Sequence, residues 1–508
     1  MIIGDPVGYL LLIEKYDLRV IPNWHRSYIS AGSSRQTNIH PNGDVEDLYP
    51  SKSRPTDTIG GHLEFAIKHD GINLGILVGL FKIIPEEELI EYIKYKPSGK
   101  YARIIWFLYE YLTNKILPIE DLQRQKYVDI LDRSIYLTAD LKCTIPVKRQ
   151  RVNNNLIGNR LFCPIVRLTD KLVEHAKIDY SLKCQKILGD YSYSMIKRAT
   201  MYLYTKETKS SYAIEHETPS STRTERFVSL LHNAQDQSYT NRDSLINLQN
   251  HIVDARYINQ DYRTSQIYVG VTVNRGREIV HYVGPKPNNV PELMEGLIMA
   301  DFIMERSNIN AVIRAAVTAY GFVFIHPFDD GNGRIHRFLI HNILSTAGFT
   351  PHGSILPISA YMVKHPSEYD ASLEAFSKPL KSLIEYMLDQ NDRMIVQNDT
   401  ADLYRYMDLT TQAEALFEFV KQTIDTEFVD ELNFLQMYDV AKTAIQNIVD
   451  MPDQRIDLFI KCCEQNGGKL SKNKRCGHFS ELTDTEITNM EQAINLAKIK
   501  ADYGNNEI

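Results

Sequence analysis

A dense group of charged and small residues occupies the segment His326-Pro-Phe-Asp-Asp-Gly-Asn-Gly-Arg-Ile-His-Arg337. An apolar run precedes it and another follows it, so we predict a buried helix that ends near His326 and a second helix that starts near Asn332. The N-terminus of a helix carries unpaired backbone N–H groups and a partial positive charge, which suit a phosphate group. The segment is therefore a candidate site for the phosphates of a nucleotide.

Four residues in this segment fit phosphate binding. Gly331 and Gly333 remove the Cβ atoms that would keep phosphate oxygens away from the backbone. Arg334 and Arg337 lie three residues apart on the predicted first helical turn, so both can reach one anion. Together these residues predict a site in which backbone and side-chain donors share a phosphate.

Two further residues of the segment bring reactive chemistry. Asp330 offers the kind of oxygen that Mg²⁺ accepts beside phosphate oxygens, and His326 is a base that works near neutral pH. A calcium loop is excluded, since neither glycine can take the sixth loop position with carboxylates at the other ligand positions. A helix cap with solvated arginines is the remaining non-catalytic interpretation.

The segment 326–337 resembles the signature of the Fic (filamentation-induced-by-cAMP) family, His-x-Phe-x-Asp/Glu-Gly-Asn-Gly-Arg-x-x-Arg, with every defined position filled. The resemblance implies a mainly α fold, in which a helical core carries a small β-hairpin flap and has helical regions on both sides. It also implies protein AMPylation, the transfer of AMP from ATP to a Ser, Thr or Tyr hydroxyl of a protein, with release of pyrophosphate.

The resemblance assigns a role to each signature residue. His326 is expected to take the proton of the attacking hydroxyl, Asp330 to hold Mg²⁺, and Phe328 to anchor the loop in the core. The expected contacts of the ATP phosphates are the remaining defined positions of the signature, Gly331, Asn332, Gly333, Arg334 and Arg337.

Upstream, the segment Ser211-Tyr-Ala-Ile-Glu215 resembles the inhibitory motif of the family, Ser/Thr-x-x-x-Glu-Gly/Asn, on a predicted helix over about 201–217. In relatives that carry this motif ahead of the core, the glutamate pairs with the second signature arginine. Glu215 is therefore expected to pair with Arg337 and to compete with phosphate for its donors. His216 departs from the Gly or Asn of the motif, which leaves the strength of inhibition open.

Two β-prone runs at about 266–283 flank the sequence Asn274-Arg-Gly-Arg277 and predict a hairpin with a glycine turn. By position the hairpin resembles the Fic flap, which docks an extended segment of a target protein by main-chain pairing. A hairpin that only covers the core is the structural alternative. A helix over 292–305 is predicted to follow the flap.

Beyond the signature, a helix is predicted from Pro366 to Met387. In the family this helix borders the adenine pocket, often with a Tyr and an Asn. Tyr369 matches the tyrosine, whereas Ser377 stands at the position of the asparagine, so Tyr369 is the expected contact on the adenine side.

Composition restricts the class of protein. The chain has 508 residues, is 43% hydrophobic and 24% charged, and carries a net charge of −7, which is ordinary for a globular protein and makes nucleic acid an unfavoured partner. The first 20 residues contain Asp5, Glu14 and Asp17 and lack the basic start of a secretory signal, and no apolar run of the N-terminal half is long enough for a membrane span. Six cysteines in this length form no disulfide framework, so a cytoplasmic protein without a membrane partner is expected.

We predict three segments along the chain. Residues 1–199 are an N-terminal extension of unknown role, with an irregular lead-in to about residue 60 and mainly helices after it. Residues 200–393 are expected to form the Fic domain, and residues 394–508 a C-terminal helical region. A zinc site of Cys462, Cys463, Cys476 and His478 is disfavoured, since their spacing matches no zinc knuckle.

Several functions remain open at this level. The same site can instead remove AMP, with Glu215 positioning a water, and other relatives transfer phosphate or phosphocholine, although the phosphate-transferring ones depart at the position of Gly333-Arg334. A nucleotide-regulated binding module is the alternative from a different class. The expected partners are ATP and a protein substrate, which can be this chain itself, and a homodimer is compatible with the sequence.

Overall fold

The computed structural model describes residues 4–41, 43–189, 191–273, 277–350, 353–390 and 393–503. They divide into two compact units. Unit 1 comprises Met1–Ile178, Asn233–Ala347 and His365–Glu418, and unit 2 comprises Asp179–His232, Gly348–Lys364 and Phe419–Ile508. Helices dominate both units, which confirms the mainly α prediction.

All strands of the described residues belong to unit 1. They are Asp5–Val7 (β1), His25–Ser30 (β2), Gln36–Ile39 (β3), Val45–Pro50 (β4), Val128–Asp129 (β5), Ile145–Val147 (β6), Val152–Asn154 (β7), Tyr268–Val273 (β8), Arg277–Val283 (β9), Tyr386–Leu388 (β10) and Met394–Val396 (β11).

The helices run along the whole chain in this order. They are Tyr9–Tyr16 (α1), Ile59–Phe65 (α2), Leu74–Phe81 (α3), Glu86–Tyr95 (α4), Lys100–Thr113 (α5), Asp170–Ala176 (α6), Tyr180–Gly189 (α7), Tyr193–Ile214 (α8), Ser221–His232 (α9), Arg242–Ile252 (α10), Val290–Arg306 (α11), Ala311–Ile325 (α12), Asn332–Thr346 (α13), Ile358–Lys364 (α14), Pro366–Lys381 (α15), Ala401–Arg405 (α16), Thr410–Thr423 (α17), Val429–Gln446 (α18), Asp453–Glu464 (α19), Lys472–His478 (α20) and Asp484–Tyr503 (α21). Within the described residues, no helix is both long and apolar enough to cross a membrane.

The N-terminal part of unit 1 is built on a four-stranded sheet with the order β1-β2-β4-β3. β2 pairs with β4 in parallel, whereas β1 and β3 are antiparallel edge strands. The prediction of an irregular lead-in up to residue 60 is therefore wrong. Buried polar side chains at alternate positions of β2 hide the strand pattern, because alternation is recognised by apolar residues on one face.

The helices α12 and α13 form the centre of the Fic-like part of unit 1. Nearly every side chain of α12 is buried, and Asn310 caps its start by accepting a hydrogen bond from the backbone N–H of Val312 at 2.9 Å. α13 is buried over almost its full length and packs against α12. A rigid pair of buried helices therefore holds the turn that joins them.

Unit 2 has a core of its own. Apolar side chains of α18, α19 and α21 form a buried cluster that includes Met437, Phe459 and Met490. The helical region expected at the C-terminal side of the chain is confirmed, since α17 to α21 lie there. Among the described residues no group of three or more His, Cys, Asp or Glu side chains could hold a metal ion.

Two predicted helices have different bounds. The helix expected over 366–387 ends at Lys381, and residues Tyr386–Leu388 instead pair with Met394–Val396 as a hairpin. The helix expected over 201–217 spans Tyr193–Ile214. The limits 1–199, 200–393 and 394–508 stay a prediction, and the two units change at other positions of the chain.

Candidate active site

The signature turn joins the end of α12 to the start of α13, as predicted. His326 follows Ile325 and adopts a left-handed conformation with φ of +52°, and its N–H bonds to the carbonyl oxygen of Phe322 at 2.8 Å. Gly331 also has a positive φ, +89°, and a Cβ there would lie 2.9 Å from Val253 Cγ1. The turn therefore needs glycine at 331 for both conformation and space.

Asn332 closes the turn through its side chain. Its amide nitrogen donates to the carbonyl oxygen of Phe328 at 2.8 Å, and its amide oxygen accepts from the N–H of Phe328 at 3.0 Å. Phe328 is fully buried and its ring lies near those of Tyr262 and Phe322, as an anchor of the loop would. The amide side chain of Asn332 is therefore used to shape the loop, and its contribution to an anion site comes from the backbone of the first helical turn.

The geometry of His326 selects one tautomer. Its Nδ1 lies 3.2 Å from the carbonyl oxygen of Val323, an acceptor only, so Nδ1 carries the hydrogen. Nε2 then carries the lone pair. A neutral imidazole with this tautomer can accept a proton at Nε2.

The surroundings of His326 keep the ring neutral. Burial and, to a lesser degree, the positive charge of Arg263 lower the pKa of His326 to about 4. The ring is part-buried, with the ring of Tyr282 at 6.4 Å between centroids. At neutral pH His326 is therefore a base and not an imidazolium.

Asp330 stands at the mouth of the turn, with 42% of its side chain exposed. Its Oδ1 accepts hydrogen bonds from the N–H of Gly331 at 2.6 Å and from Arg334 at 2.8 Å. These donors orient the carboxylate. A half-exposed carboxylate beside a phosphate site matches Mg²⁺, which takes one or two carboxylates together with phosphate oxygens and water.

Both signature arginines are buried on the first turns of α13, Arg334 with no exposed surface and Arg337 with 2%. Burial restricts the guanidinium groups to few positions. Arg334 is tied to Asp330 on the preceding turn, so the carboxylate and the cation occupy the same side of the helix start.

The predicted flap is the hairpin of β8 and β9, with an irregular register between Val269 and Gly270. Its predicted glycine turn, residues 274–276, lies outside the described residues. Tyr282 of β9 donates a hydrogen bond to the carbonyl oxygen of Phe324, two residues before the catalytic candidate. The hairpin therefore lies beside His326, whereas strand addition by a target segment stays a prediction.

Tyr369 lies on α15, within unit 1, with 6% of its surface exposed. Its ring centroid is 6.2 Å from that of His336, whose Nδ1 is bonded to the carbonyl oxygen of Ala319 at 2.8 Å. Tyr369 thus packs near the signature helix, and its contact with adenine stays a prediction. Ser377 follows two turns later on the same helix.

The two inhibitory residues belong to unit 2. Ser211 is buried within α8, and Glu215 is the residue that ends this helix. Arg337 belongs to unit 1, so its pairing with Glu215 stays a prediction. His216 has a φ of +57°, a left-handed conformation that favours glycine and asparagine. This conformation explains why the motif prefers those residues after the glutamate.

Sequence reasoning missed the residues that hold the turn from outside. Asp329 accepts hydrogen bonds from Asn259 at 2.9 Å and from Ser265 at 2.6 Å. Arg263 donates to the carbonyl oxygen of His326 at 2.7 Å. The signal available for Arg263 was weak, since a single arginine ahead of a strand is a common surface feature.

The comparison with protein families agrees with this geometry. Residues 239–344 match the model of the Fic/DOC family. This part of the chain is a Fic domain. It lies inside the segment Asn233–Ala347 of unit 1 and contains the hairpin of β8 and β9, the helix α12 and most of α13.

Curated relatives of the Fic domain are adenylyltransferases by name. The protein adenylyltransferase fic-1 of Caenorhabditis elegans is 26% identical over 159 residues, which is 27% of this chain and 28% of that protein. The protein adenylyltransferase Fic of Culex quinquefasciatus is 30% identical over 149 residues, or 28% of this chain and 24% of that protein. The chain thus spans about a quarter of the length of these relatives.

Solved structures give weaker likenesses. A Fic family protein from Desulfovibrio desulfuricans G20 has a TM-score of 0.35 and 18% identity, covering 66% of this chain and 88% of that one. A Fic domain containing signaling protein from Bacteroides thetaiotaomicron VPI-5482 has a TM-score of 0.33 and 19% identity, covering 49% and 96%. Likenesses this weak support no inference about the activity of this chain.

Proposed function

We propose that this chain is a protein adenylyltransferase, which transfers AMP from ATP to a Ser, Thr or Tyr hydroxyl of a protein and which Glu215 inhibits. The observation that carries the proposal is the hydrogen bond from His326 Nδ1 to the carbonyl oxygen of Val323, which leaves Nε2 to accept a proton directly ahead of a glycine turn and a helix N-terminus. The names of the curated relatives support the same reaction. The hairpin beside His326 is where we place the protein substrate.

The proposed reaction is an in-line displacement at the α-phosphorus. The hydroxyl oxygen of the substrate forms a bond to this phosphorus while the bond to the bridging oxygen of pyrophosphate breaks. Nε2 of His326 takes the hydroxyl proton, and the negative charge leaves with pyrophosphate. Donors at the start of α13, together with Arg334 and Arg337, stabilise this growing charge because they are held in place before the reaction.

Asp330 is the residue that we propose as the protein ligand of Mg²⁺. When bound, the cation neutralises charge on the phosphates. The carboxylate fits this role because its donors, Gly331 N–H and Arg334, fix its orientation while part of it remains exposed.

For inhibition we propose that the Glu215 carboxylate pairs with the Arg337 guanidinium. A bidentate pair of this type uses the same donors that a γ-phosphate needs, so ATP is held without productive alignment. Substitution of Glu215 by glycine removes the competing carboxylate. We expect transfer activity to increase in this variant.

The test uses full-length protein with Mg²⁺ and ATP labelled at the α-phosphate. We compare the wild type with Glu215→Gly and with Glu215→Gly carrying His326→Ala. We expect label on the Glu215→Gly protein, with none or far less on the wild type. We expect this label to disappear when His326→Ala is added. Gln235→Gly, a change outside the inhibitory motif and the signature, controls for a general effect of a glycine substitution.

Three outcomes contradict parts of the proposal. If no sample becomes labelled although labelled ATP binds, the chain does not transfer AMP to itself, even after Glu215 is removed. Loss of AMP from a modified target, faster in the wild type than in Glu215→Gly, identifies the removal of AMP as the main activity. Label that persists after His326→Ala rules out His326 as the base.

A further inference from the structure

Arg263 is a buried arginine that none of the proposed catalytic steps uses. It lies five residues before β8 and is 3% exposed. Its backbone N–H donates to the carbonyl oxygen of Pro327 at 2.8 Å. Its side chain donates to three further carbonyl oxygens, those of His326 at 2.7 Å, Ser265 at 2.6 Å and Pro285 at 2.7 Å.

The four acceptors of Arg263 belong to two structures. His326 and Pro327 are the first residues of the signature turn, whereas Ser265 precedes β8 and Pro285 follows β9. The two ends of the hairpin are also bonded to each other, since the N–H of Gly284 donates to the carbonyl oxygen of Ile267 at 3.1 Å. One guanidinium therefore joins both ends of the flap to the residue that carries the base.

The shape of the guanidinium explains why an arginine occupies this position. Its donors are arranged in a rigid planar fork and reach three separate carbonyl groups at once, whereas a lysine ammonium is a single point on a flexible chain. Burial lowers the pKa of Arg263 to about 10, so burying this cation has an unfavourable desolvation free energy. Such a cost is typical of a functional position.

Arg263 also acts on His326 electrostatically. The charged groups that bear on the imidazole are Arg263, which lowers its pKa, and Asp330, which raises it, and the ring of Tyr282 packs at its side. Removal of the positive charge is expected to raise the pKa of His326. A role in packing alone would not move this quantity.

We propose that Arg263 is a positioning residue, which holds the two ends of the flap at a fixed distance from His326 so that a hydroxyl presented by the flap meets Nε2. The proposal rests on the AMP transfer proposed above. A displacement of about 1 Å in such an arrangement costs on the order of 100-fold in rate. The described contacts of Arg263 include neither the phosphate donors of α13 nor Asp330, so its substitution is expected to affect transfer more than the binding of ATP.

The experiment places Arg263→Lys and Arg263→Gln in the Glu215→Gly protein. We expect kcat for AMP transfer to fall about 10- to 100-fold in both variants, with the Kd of ATP changed by less than about twofold. Lysine keeps the charge and loses the fork, whereas glutamine loses both. Arg242→Gln is the matched control, because Arg242 is an exposed arginine paired with Asp261, and its kcat is expected to stay unchanged.

A second measurement does not depend on transfer. Diethyl pyrocarbonate modifies neutral imidazole, and the tryptic peptide of residues 315–334 contains His326 as its single histidine. The pH midpoint of this modification, read by mass spectrometry, is expected to move upward in Arg263→Gln and to stay near that of the parent in Arg263→Lys. Circular dichroism and thermal melting give the folded fraction of each variant, and every rate is divided by this fraction.

The outcomes separate this inference from the proposed function. If the Glu215→Gly parent transfers no label, the proposed function fails. The link between Arg263 and His326 is then judged from the pH midpoint of His326 modification alone. A midpoint that does not shift in Arg263→Gln overturns this link, and a midpoint that shifts upward supports it. If the parent is active, transfer within twofold of the parent in both variants overturns the positioning role. A loss of transfer explained by the unfolded fraction also overturns it.

Discussion

Two regions of unit 1 place a histidine beside carboxylates and use it in opposite ways. In the signature turn, His326 has one ring nitrogen bonded to a backbone carbonyl. In the N-terminal sheet, His25 of β2 has both nitrogens engaged, Nδ1 with Asp70 at 3.1 Å and Nε2 with Asp47 at 2.8 Å. All three residues of this second cluster are almost fully buried. The same residue type, histidine, therefore has two different hydrogen-bonding environments in this unit.

The two environments shift the pKa values in opposite directions. Burial lowers the pKa of His326 to about 4. Burial also acts to lower the pKa of His25, but hydrogen bonds and charge from Asp70 and Asp47 outweigh it and raise that pKa. A histidine that bridges two carboxylates is held as a cation with no lone pair to offer, so His25 cannot serve as a base while His326 can.

The bonds around His25 describe a structural role. Asp70 also accepts from the hydroxyl of Ser27 and from the N–H of Tyr9 at 3.2 Å. It sits at the end of a π-helical turn, Ala66–Asp70, that directly follows α2. The cluster therefore connects β2, β4, α1 and this turn through buried charges, whereas the signature turn leaves one nitrogen for chemistry.

The largest expected difference between the two histidines is in activity. In the Glu215→Gly background, His326→Ala is expected to reduce kcat for AMP transfer by about 10²- to 10⁴-fold, the usual contribution of a general base. Initial rates of label incorporation measure this effect, and thermal melting is expected to show little change because the ring is part-buried and makes one hydrogen bond. If His25→Ala reduced kcat per folded molecule as much as His326→Ala does, the two histidines would not differ in their role in catalysis.

The second expected difference is in stability. His25→Ala removes the shared partner of two buried carboxylates, and we expect a loss of about 3–5 kcal/mol in the free energy of unfolding of the region that contains β2. Denaturant unfolding followed by circular dichroism gives the value. His25→Gln, which can hydrogen-bond but carries no charge, is the control and is expected to lose less. An unchanged unfolding curve in His25→Ala would show that the cluster does not stabilise the sheet.

The smallest expected effect is in the pH dependence of stability. The raised pKa of His25 means that its contribution is complete below its unfolded value of 6.5 and is lost as the pH rises through the folded value. The lowered pKa of His326 has the opposite sign, since its contribution is present above 6.5 and is lost as the pH falls towards about 4. Unfolding free energies from pH 5 to 9 are expected to decline less steeply on the alkaline side in His25→Gln. A decline identical to that of the wild type would assign it to other groups.

Much of the candidate site was predictable because it is local in the chain. The ends of α12 and α13 follow from two apolar runs separated by a short polar turn. The hairpin at β8 and β9 and the helix α11 were predicted from patterns within about 15 residues. Such patterns depend on hydrogen bonds between near neighbours, so the sequence carries them.

The wrong predictions concern strands whose pairing the local residue pattern did not show. β2 and β4 are parallel neighbours in the sheet, and their connection contains β3, so no hairpin signal marks them. The strand β10 continues a sequence that looks helical, but α15 ends at Lys381 and the following residues pair with β11. In both places strand pairing outweighs the preference of the single segment, as is common for strands.

By itself the sequence predicted the type of domain, the order of its helices around the signature and the candidate residues for phosphate binding and proton acceptance. Only the tertiary structure decided which histidine is a base and which is a buried cation, because hydrogen-bond partners and burial set the pKa of an imidazole. It likewise revealed Arg263, whose four acceptors come from residues up to 64 positions away. The chemistry that a residue type can perform is set by the residue itself. The electric field and the hydrogen bonds that make one particular residue reactive come from distant parts of the chain, which the fold brings together.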